Sequence, residues 1–206
     1  MSLILNRRAL IGSSLALAAA PVWAQTPDTG LVRVSIKTSM GVITADMNVG
    51  KAPITAKNFL RYADQHRLDG SSFYRASPTP GAPETGFIQG GLQGNPAKVL
   101  KPIPHESTAK TGLSHKDGTF SMARLKPGTA TADFIICIGD QPSFDADPAN
   151  PDTTGYAAFG QVVDGMDVIK AIHAAPTSQH ALNPVMRGEM LSPPVPILRV
   201  RRVTAA

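Results

Sequence analysis

Residues 31–48 read LVRVSIKTSMGVITADMN, and two runs of period two meet there across one turn. Val32, Val34 and Ile36 alternate with Arg33, Ser35 and Lys37, the pattern of a strand with one buried face. Met40-Gly41 turns the chain, and Ile43, Ala45 and Met47 then alternate along a second strand. The pair predicts an opening hairpin.

The period changes at KAPITAKNFLRYADQHRL. Pro53 suits the first turn of a helix, and Ala56, Phe59, Leu60 and Ala63 recur at helical spacing. Beyond it come SSFYRAS, GFIQGG, GTFSMARL, ADFIICIGD and YAAFGQVV, all short, apolar and bounded by turn residues. A second helix is predicted in GMDVIKAIHAAP, with Val168, Ile169 and Ile172 as its stripe and Pro176 as its stop. VPILRVRRV closes the chain as a final strand. Many short strands with two isolated helices do not alternate as βαβ units, so a mainly β, antiparallel barrel or sandwich is expected. No internal repeat appears, and Asp145 to Gly155 reads as a long loop within one domain.

The N-terminus has a different character. Arg7 and Arg8 precede an apolar run from Ala9 to Ala20, and Val22 and Ala24 occupy the small-residue positions of a cleavage signal. Residues 1–24 are therefore expected to be a cleavable signal peptide, followed by a linker at 25–30 and a domain at 31–204. The run is too short to favour a stable membrane anchor. The paired arginines also resemble a twin-arginine export signal. A periplasmic or secreted protein follows, with no membrane attachment once the signal is gone. Losing Arg7 and Arg8 lowers the formal charge from +5 to +3, which removes the main support for nucleic-acid binding. Nothing marks an oligomer, so a monomer is the default.

Familiar catalytic groups are scarce. There is no G-x-S-x-G, and Cys137, the sole cysteine, sits in an apolar strand where a buried, inert thiol is expected. His66, His105, His115, His173 and His180 lack metal-ligand spacing and read as surface or capping histidines; neither a metal nor a cofactor is expected. Gly90-Gly91 lacks the lysine of a phosphate loop. What remains is FYRASPTPGAPETGFIQGG, residues 73–91, which sets Arg75 and Gln89 in apolar surroundings on either side of a Pro/Gly-rich loop. Two readings are open: a buried structural bridge, or a site using two hydrogen-bonding side chains without acid, base or metal.

Four segments resemble one family in order along the chain. KAPITAKNFL is similar to the K-x-P-x-T-x-x-N-F helix of the cyclophilin-type peptidyl-prolyl isomerases, and FYR…FIQGG to their F-H-R…Q-G-G segment. GTFSMARLKPGTATADFIIC matches G-x-x-S-M-A-N-x-x-P-x-T-x-x-S-Q-F-F-I without a gap, and AFGQVVDGMDVIKAI resembles V-F-G-x-V-x-x-G-M-x-V-V-x-x-I. The resemblance implies a closed eight-stranded antiparallel β-barrel with two capping α-helices. It also implies an enzyme that rotates X-Pro bonds in proline-containing polypeptides without a covalent intermediate or cofactor. Arg75 matches the catalytic arginine and Gln89 the pocket glutamine; Met122, Ala123 and Phe134 match groove positions. A divergent module that binds prolyl peptides with little or no turnover, acting as a chaperone, is the alternative.

The departures gather at the pocket. The second aromatic of F-F is Ile135, the preceding glutamine is Asp133, the asparagine after S-M-A is Arg124, and the pocket histidine before F-G is Tyr156. Tyr74 replaces the histidine beside the arginine. The aromatic due three residues before Gln89 is Gly86, with Phe87 one place later, where a bulge would decide whether it faces the pocket. The extra Ser-Pro-Thr-Pro-Gly-Ala-Pro-Glu reads either as a neutral surface insertion or as a lip over the pocket. Asp133 and Arg124 are free to pair with each other or with substrate.

Overall fold

The computed structural model describes residues 30–150, 153–181 and 183–203; the signal and most of the linker read from the sequence lie outside them. The predicted hairpin is β1 (Leu31–Thr38) and β2 (Gly41–Asn48), in register from Leu31↔Asn48 to Thr38↔Gly41. Helix α1 (Pro53–Asp64) follows, then β3 (Ser71–Thr79) and β4 (Ala82–Gly91). A short helix α2 (Thr108–Thr111) precedes β5 (Thr119–Met122), β6 (Phe134–Ile138) and β7 (Ala157–Asp164). The chain ends with α3 (Met166–His173), the two-residue β8 (Thr177–Ser178) and β9 (Met190–Arg202).

The strand order β1-β2-β7-β5-β6-β4-β3-β9 is antiparallel throughout and closes where β1 pairs with β9. Eight strands form the barrel; β8 only extends β9 outside the ring. Closure leaves no edge to protect, which suits strands of four to thirteen residues rich in turn-bounded apolar segments. Helices α1 and α3 turn the expected stripes against the barrel: Ala56, Phe59, Leu60 and Ala63 are buried on one, and Ile169 and Ile172 on the other, with Val168 only partly buried beside them. Helix α2 is an addition to the two expected.

Five of the seven phenylalanines fill the interior. Phe59 of α1 meets Phe120, Phe134 and Phe159 at ring separations of 5.3–6.0 Å, and Phe73 meets Phe134 at 5.8 Å. Aromatic packing of this kind, edge-on except for the tilted Phe59–Phe159 pair, adds to the area term and makes α1 a plug in the barrel. The first turn of α1 is capped from far away. Glu106 accepts hydrogen bonds from the Ile54 and Thr55 backbone N–H groups and the Thr55 hydroxyl at 2.6–3.1 Å, because Ala52 at the helix start has no side chain for the task.

Two segments differ from expectation in ways that shape the site. The inserted SPTPGAPE is no irregular excursion: it prolongs β3 and β4 as a hairpin turning at Pro80-Gly81. Its tip leans on the segment after β6, where Gln141 donates to the Thr79 hydroxyl at 3.3 Å. The last strand begins five residues before the expected VPILRVRRV, and this early start sets Met190 opposite Arg75.

Candidate active site

Strand parity builds the site. Across the outer face of the barrel runs one row of directly paired residues, Ser121 on β5, Ile135 on β6, Gln89 on β4 and Arg75 on β3. The neighbouring rows, Phe120–Ile136–Ile88–Ala76 and Met122–Phe134–Gly90–Phe73, point inward. Arg75 joins the outer row only because β3 bulges. Phe73 pairs with Gly90 and Arg75 with Gln89, so Tyr74 is an extra residue and the alternation is reset. Phe73 thereby stays in the core while Arg75 faces out.

A groove of about 570 Å³ lies over that row. Ile135 lies at its base, paired with Gln89 and only 6% exposed. Phe87, Phe144 and Tyr156 also line it as a chain of edge-on rings, with Phe144 5.7 Å from Phe87 and 5.5 Å from Tyr156. Ala123, Arg124, Leu125, Thr131 and Met186 contribute to the rest of the wall. The groove is thus apolar at its floor and aromatic end, with a cationic donor facing it, the combination that orients a small apolar ligand by a few polar contacts.

The donor is held on several sides. Arg75 Nε and Nη2 both meet Oε2 of Glu189 at 2.7 Å, Nη1 donates to Oε1 of Gln89 at 3.1 Å, and the guanidinium lies 5.0 Å from the Phe87 ring centre. Gln89 in turn donates to the Tyr74 hydroxyl at 2.8 Å, and the Asp133 carboxylate lies close enough to act on that phenol. Asp133 accepts the Leu92 and Gln93 N–H groups at 2.6 and 2.9 Å. Burial raises its carboxyl above the usual range and those two N–H groups pull it back; burial also raises the Tyr74 phenol, with the Asp133 charge adding to it.

An eight-stranded closed barrel with an arginine–glutamine pair over an apolar groove narrows the comparison with known proteins. The family model described as "Cyclophilin type peptidyl-prolyl cis-trans isomerase/CLD" matches residues 33–202. This chain belongs to that family. A peptidyl-prolyl cis-trans isomerase of Acinetobacter baylyi is 35% identical over 152 residues, covering 73% of this chain and 76% of that protein. Peptidyl-prolyl cis-trans isomerase B of Escherichia coli is 35% identical over 155 residues, covering 73% and 89%. Among solved structures, a Cryptosporidium parvum cyclophilin crystallised in the presence of the dipeptide Ala-Pro aligns with a TM-score of 0.67. It covers 84% of this chain and 99% of that one at 19% identity, a likeness of fold. The protein is a cyclophilin-type peptidyl-prolyl cis-trans isomerase, an enzyme of β-barrel fold.

Within this cyclophilin the residues singled out from the sequence separate into two groups. Arg75, Phe87, Gln89, Ala123, Asp133, Ile135 and Tyr156 all line the groove. Met122 and Phe134 do not. They are 1% and 0% exposed and face inward, because each neighbours an outward residue on its strand and the period of two sends it the other way. Phe87 reaches the groove in place of the missing aromatic at Gly86. Gly86 is opposite Pro78 with φ 138°, where a β-carbon would sit 2.1 Å from the Ser77 carbonyl oxygen. Arg124 and Asp133 do not pair with each other. Arg124 donates to Thr154 and the Gly155 carbonyl and lies over the Tyr156 ring at 4.9 Å, while Asp133 caps the turn after β4.

Three contributors escaped the sequence reading. Phe144 is the one large apolar side chain in the polar run from Gly139 to Gly155, and that contrast is its signal. Glu189 stands as a lone acid between Met186 and the apolar last strand. His115 is buried rather than at the surface: its ring joins Ser121 Oγ at 2.7 Å to Asp145 at 2.5 Å, and it packs edge-on under Phe144. That Ser-His-Asp chain has the connectivity of a hydrolase triad, but Ser121 is 0% exposed, so no substrate carbonyl reaches it. It ties down the segment that carries Phe144. Cys137 is fully buried with its thiol pushed up to about 12, an inert group.

Proposed function

We propose that this cyclophilin accelerates X-Pro rotation in exported polypeptides, with Arg75 as the catalytic residue and Gln89 holding it in place. Rotation about a prolyl amide breaks no covalent bond and moves no proton. Its barrier, about 18–20 kcal/mol, is lost amide resonance. As resonance is lost, the prolyl nitrogen becomes pyramidal and gains lone-pair character. A donor aimed there binds the twisted state better than either planar one, and only that difference speeds rotation. Arginine suits the task because it keeps its charge at any working pH and its fork is rigid. The Ile135 floor and the Phe87, Phe144 and Tyr156 rings would grip the pyrrolidine ring while the preceding carbonyl swings.

The observation that carries this reading is the cross-strand row Arg75–Gln89–Ile135 along one groove, a guanidinium and an apolar side chain side by side. Export rests on the N-terminal pattern of Arg7-Arg8, an apolar run and Val-Trp-Ala. The test is a set of X-Pro peptides followed with the purified mature protein. Acceleration above buffer supports the reading; binding of the same peptides without acceleration supports a prolyl-peptide clasp instead. For export, the N-terminus of secreted material is expected at or near Gln25.

A further inference from the structure

Arginine carries five N–H donors in one plane. Glu189 accepts the Nε–H and forms an ion pair with Nη2 at 2.7 Å, and Gln89 accepts one N–H of Nη1. Unused N–H groups remain on both terminal nitrogens, and Arg75 lines the groove. No further protein acceptor for them is present among the described residues. Gln89 alone, through a single contact at 3.1 Å, leaves the guanidinium free to swing about that bond. Glu189 grips the Nε side with two contacts at 2.7 Å and removes that freedom.

Glu189 is itself fixed. Its N–H donates to the Met186 carbonyl and its carbonyl accepts the Ala76 N–H at 2.8 Å, locking the β8–β9 connection onto the strand that carries Arg75. Gly188, at φ 78°, makes the turn that brings it there. Both side chains are partly shielded, 17% exposed for Arg75 and 20% for Glu189, so the pair is screened less than a surface ion pair would be.

We infer that Glu189 is the positioning residue of the active site: it fixes the rotation of the Arg75 guanidinium so that the unused N–H groups of its terminal nitrogens face the bound prolyl bond. The inference rests on Arg75 being the catalytic donor. Holding one fork edge while the other reacts is a form of preorganisation, which lowers the cost of aiming the donor at the twisted state. A segment absent from the Phe73–Gly91 region therefore completes the site, from 114 residues further along the chain.

The experiment compares wild type, Glu189→Ala, Glu189→Gln, Arg75→Ala and the Arg75→Ala/Glu189→Ala double variant in peptide isomerisation, with thermal midpoints for each. The Nε–H resonance of Arg75 is followed by NMR alongside. Glu189→Ala is expected to lose about tenfold in kcat/KM, mostly in kcat, and to broaden or lose that resonance. Glu189→Gln, which keeps an acceptor, is expected to recover most of the activity. In the Arg75→Ala background, removing Glu189 is expected to change nothing further. An active Glu189→Ala enzyme with an unchanged resonance would overturn the inference. So would an equal loss with and without Arg75, or a loss confined to KM that glutamine does not repair. Activity retained by Arg75→Ala would instead strike at the catalytic assignment beneath it.

Discussion

Phe73 and Arg75 are two residues apart on one strand, yet they face opposite sides of the barrel wall. Tyr74 between them has no partner on β4, so the strand spends one residue without crossing the sheet. The phenylalanine packs against Phe134 in the core and the arginine reaches the groove. One bulge therefore serves stability and chemistry together, and it fixes what several substitutions will do.

Restoring the family aromatic at position 86 is expected to harm this protein. A β-carbon there meets the Ser77 carbonyl at 2.1 Å, and the residue holds φ 138°. Gly86→Phe is expected to cost at least about 2 kcal/mol of stability and to give no gain in turnover, read by chemical denaturation and peptide kinetics.

In the proposed mechanism Ile135 would grip the substrate ring equally in planar and twisted states. Ile135→Ala is therefore expected to raise KM several-fold with kcat little changed, and to cost about 2 kcal/mol of stability, since the side chain is 6% exposed. Progress curves at several peptide concentrations separate the two parameters.

Acidification is expected to loosen the wall that carries Phe144. Burial, the largest cause, holds the His115 imidazole pKa below its usual 6.5, and Asp145 only partly offsets it. The unfolded chain takes up this proton near pH 6.5 and the folded protein only at lower pH. The stabilisation is complete above about 6.5 and is lost as pH falls through the folded value. Thermal midpoints should fall between pH 7.5 and 5.0, and His115→Gln should show a shallower fall. Asp133, with its raised carboxyl, works in the opposite sense and is present in both proteins, so the comparison isolates His115.

Much of the fold was legible from local pattern. The β1–β2 hairpin, the α1 and α3 stripes and the turn-bounded strands each carry their period in consecutive residues. The family motifs located Arg75 and Gln89, and both line the groove. Facing was harder to read. Met122 and Phe134 sit inside motifs that include groove residues, but parity turns them inward, and only the pairing register reveals it. The bulge at Tyr74 carries no composition signal. Glu189, Glu106 and Phe144 act across long separations in sequence, where neither period nor spacing speaks: Glu106 caps a helix 51 and 52 residues earlier. The proline-rich insertion looked like a loop because prolines rarely sit inside sheets, yet here it prolongs a hairpin that stands clear of the barrel ring.

The central claim is that an arginine fork, and no acid–base pair, drives the rotation. Exchange NMR on an Ala-Pro peptide at equal concentrations of wild type, Arg75→Ala and Arg75→Lys tests it most directly, with folding checked by the wild-type methyl spectrum. The expected result is a fall of about a hundredfold or more in kcat/KM for alanine. Lysine should recover little of it, because a point charge cannot keep Gln89 and Glu189 engaged while donating to the substrate. An alanine variant that exchanges the peptide as fast as wild type would contradict the account.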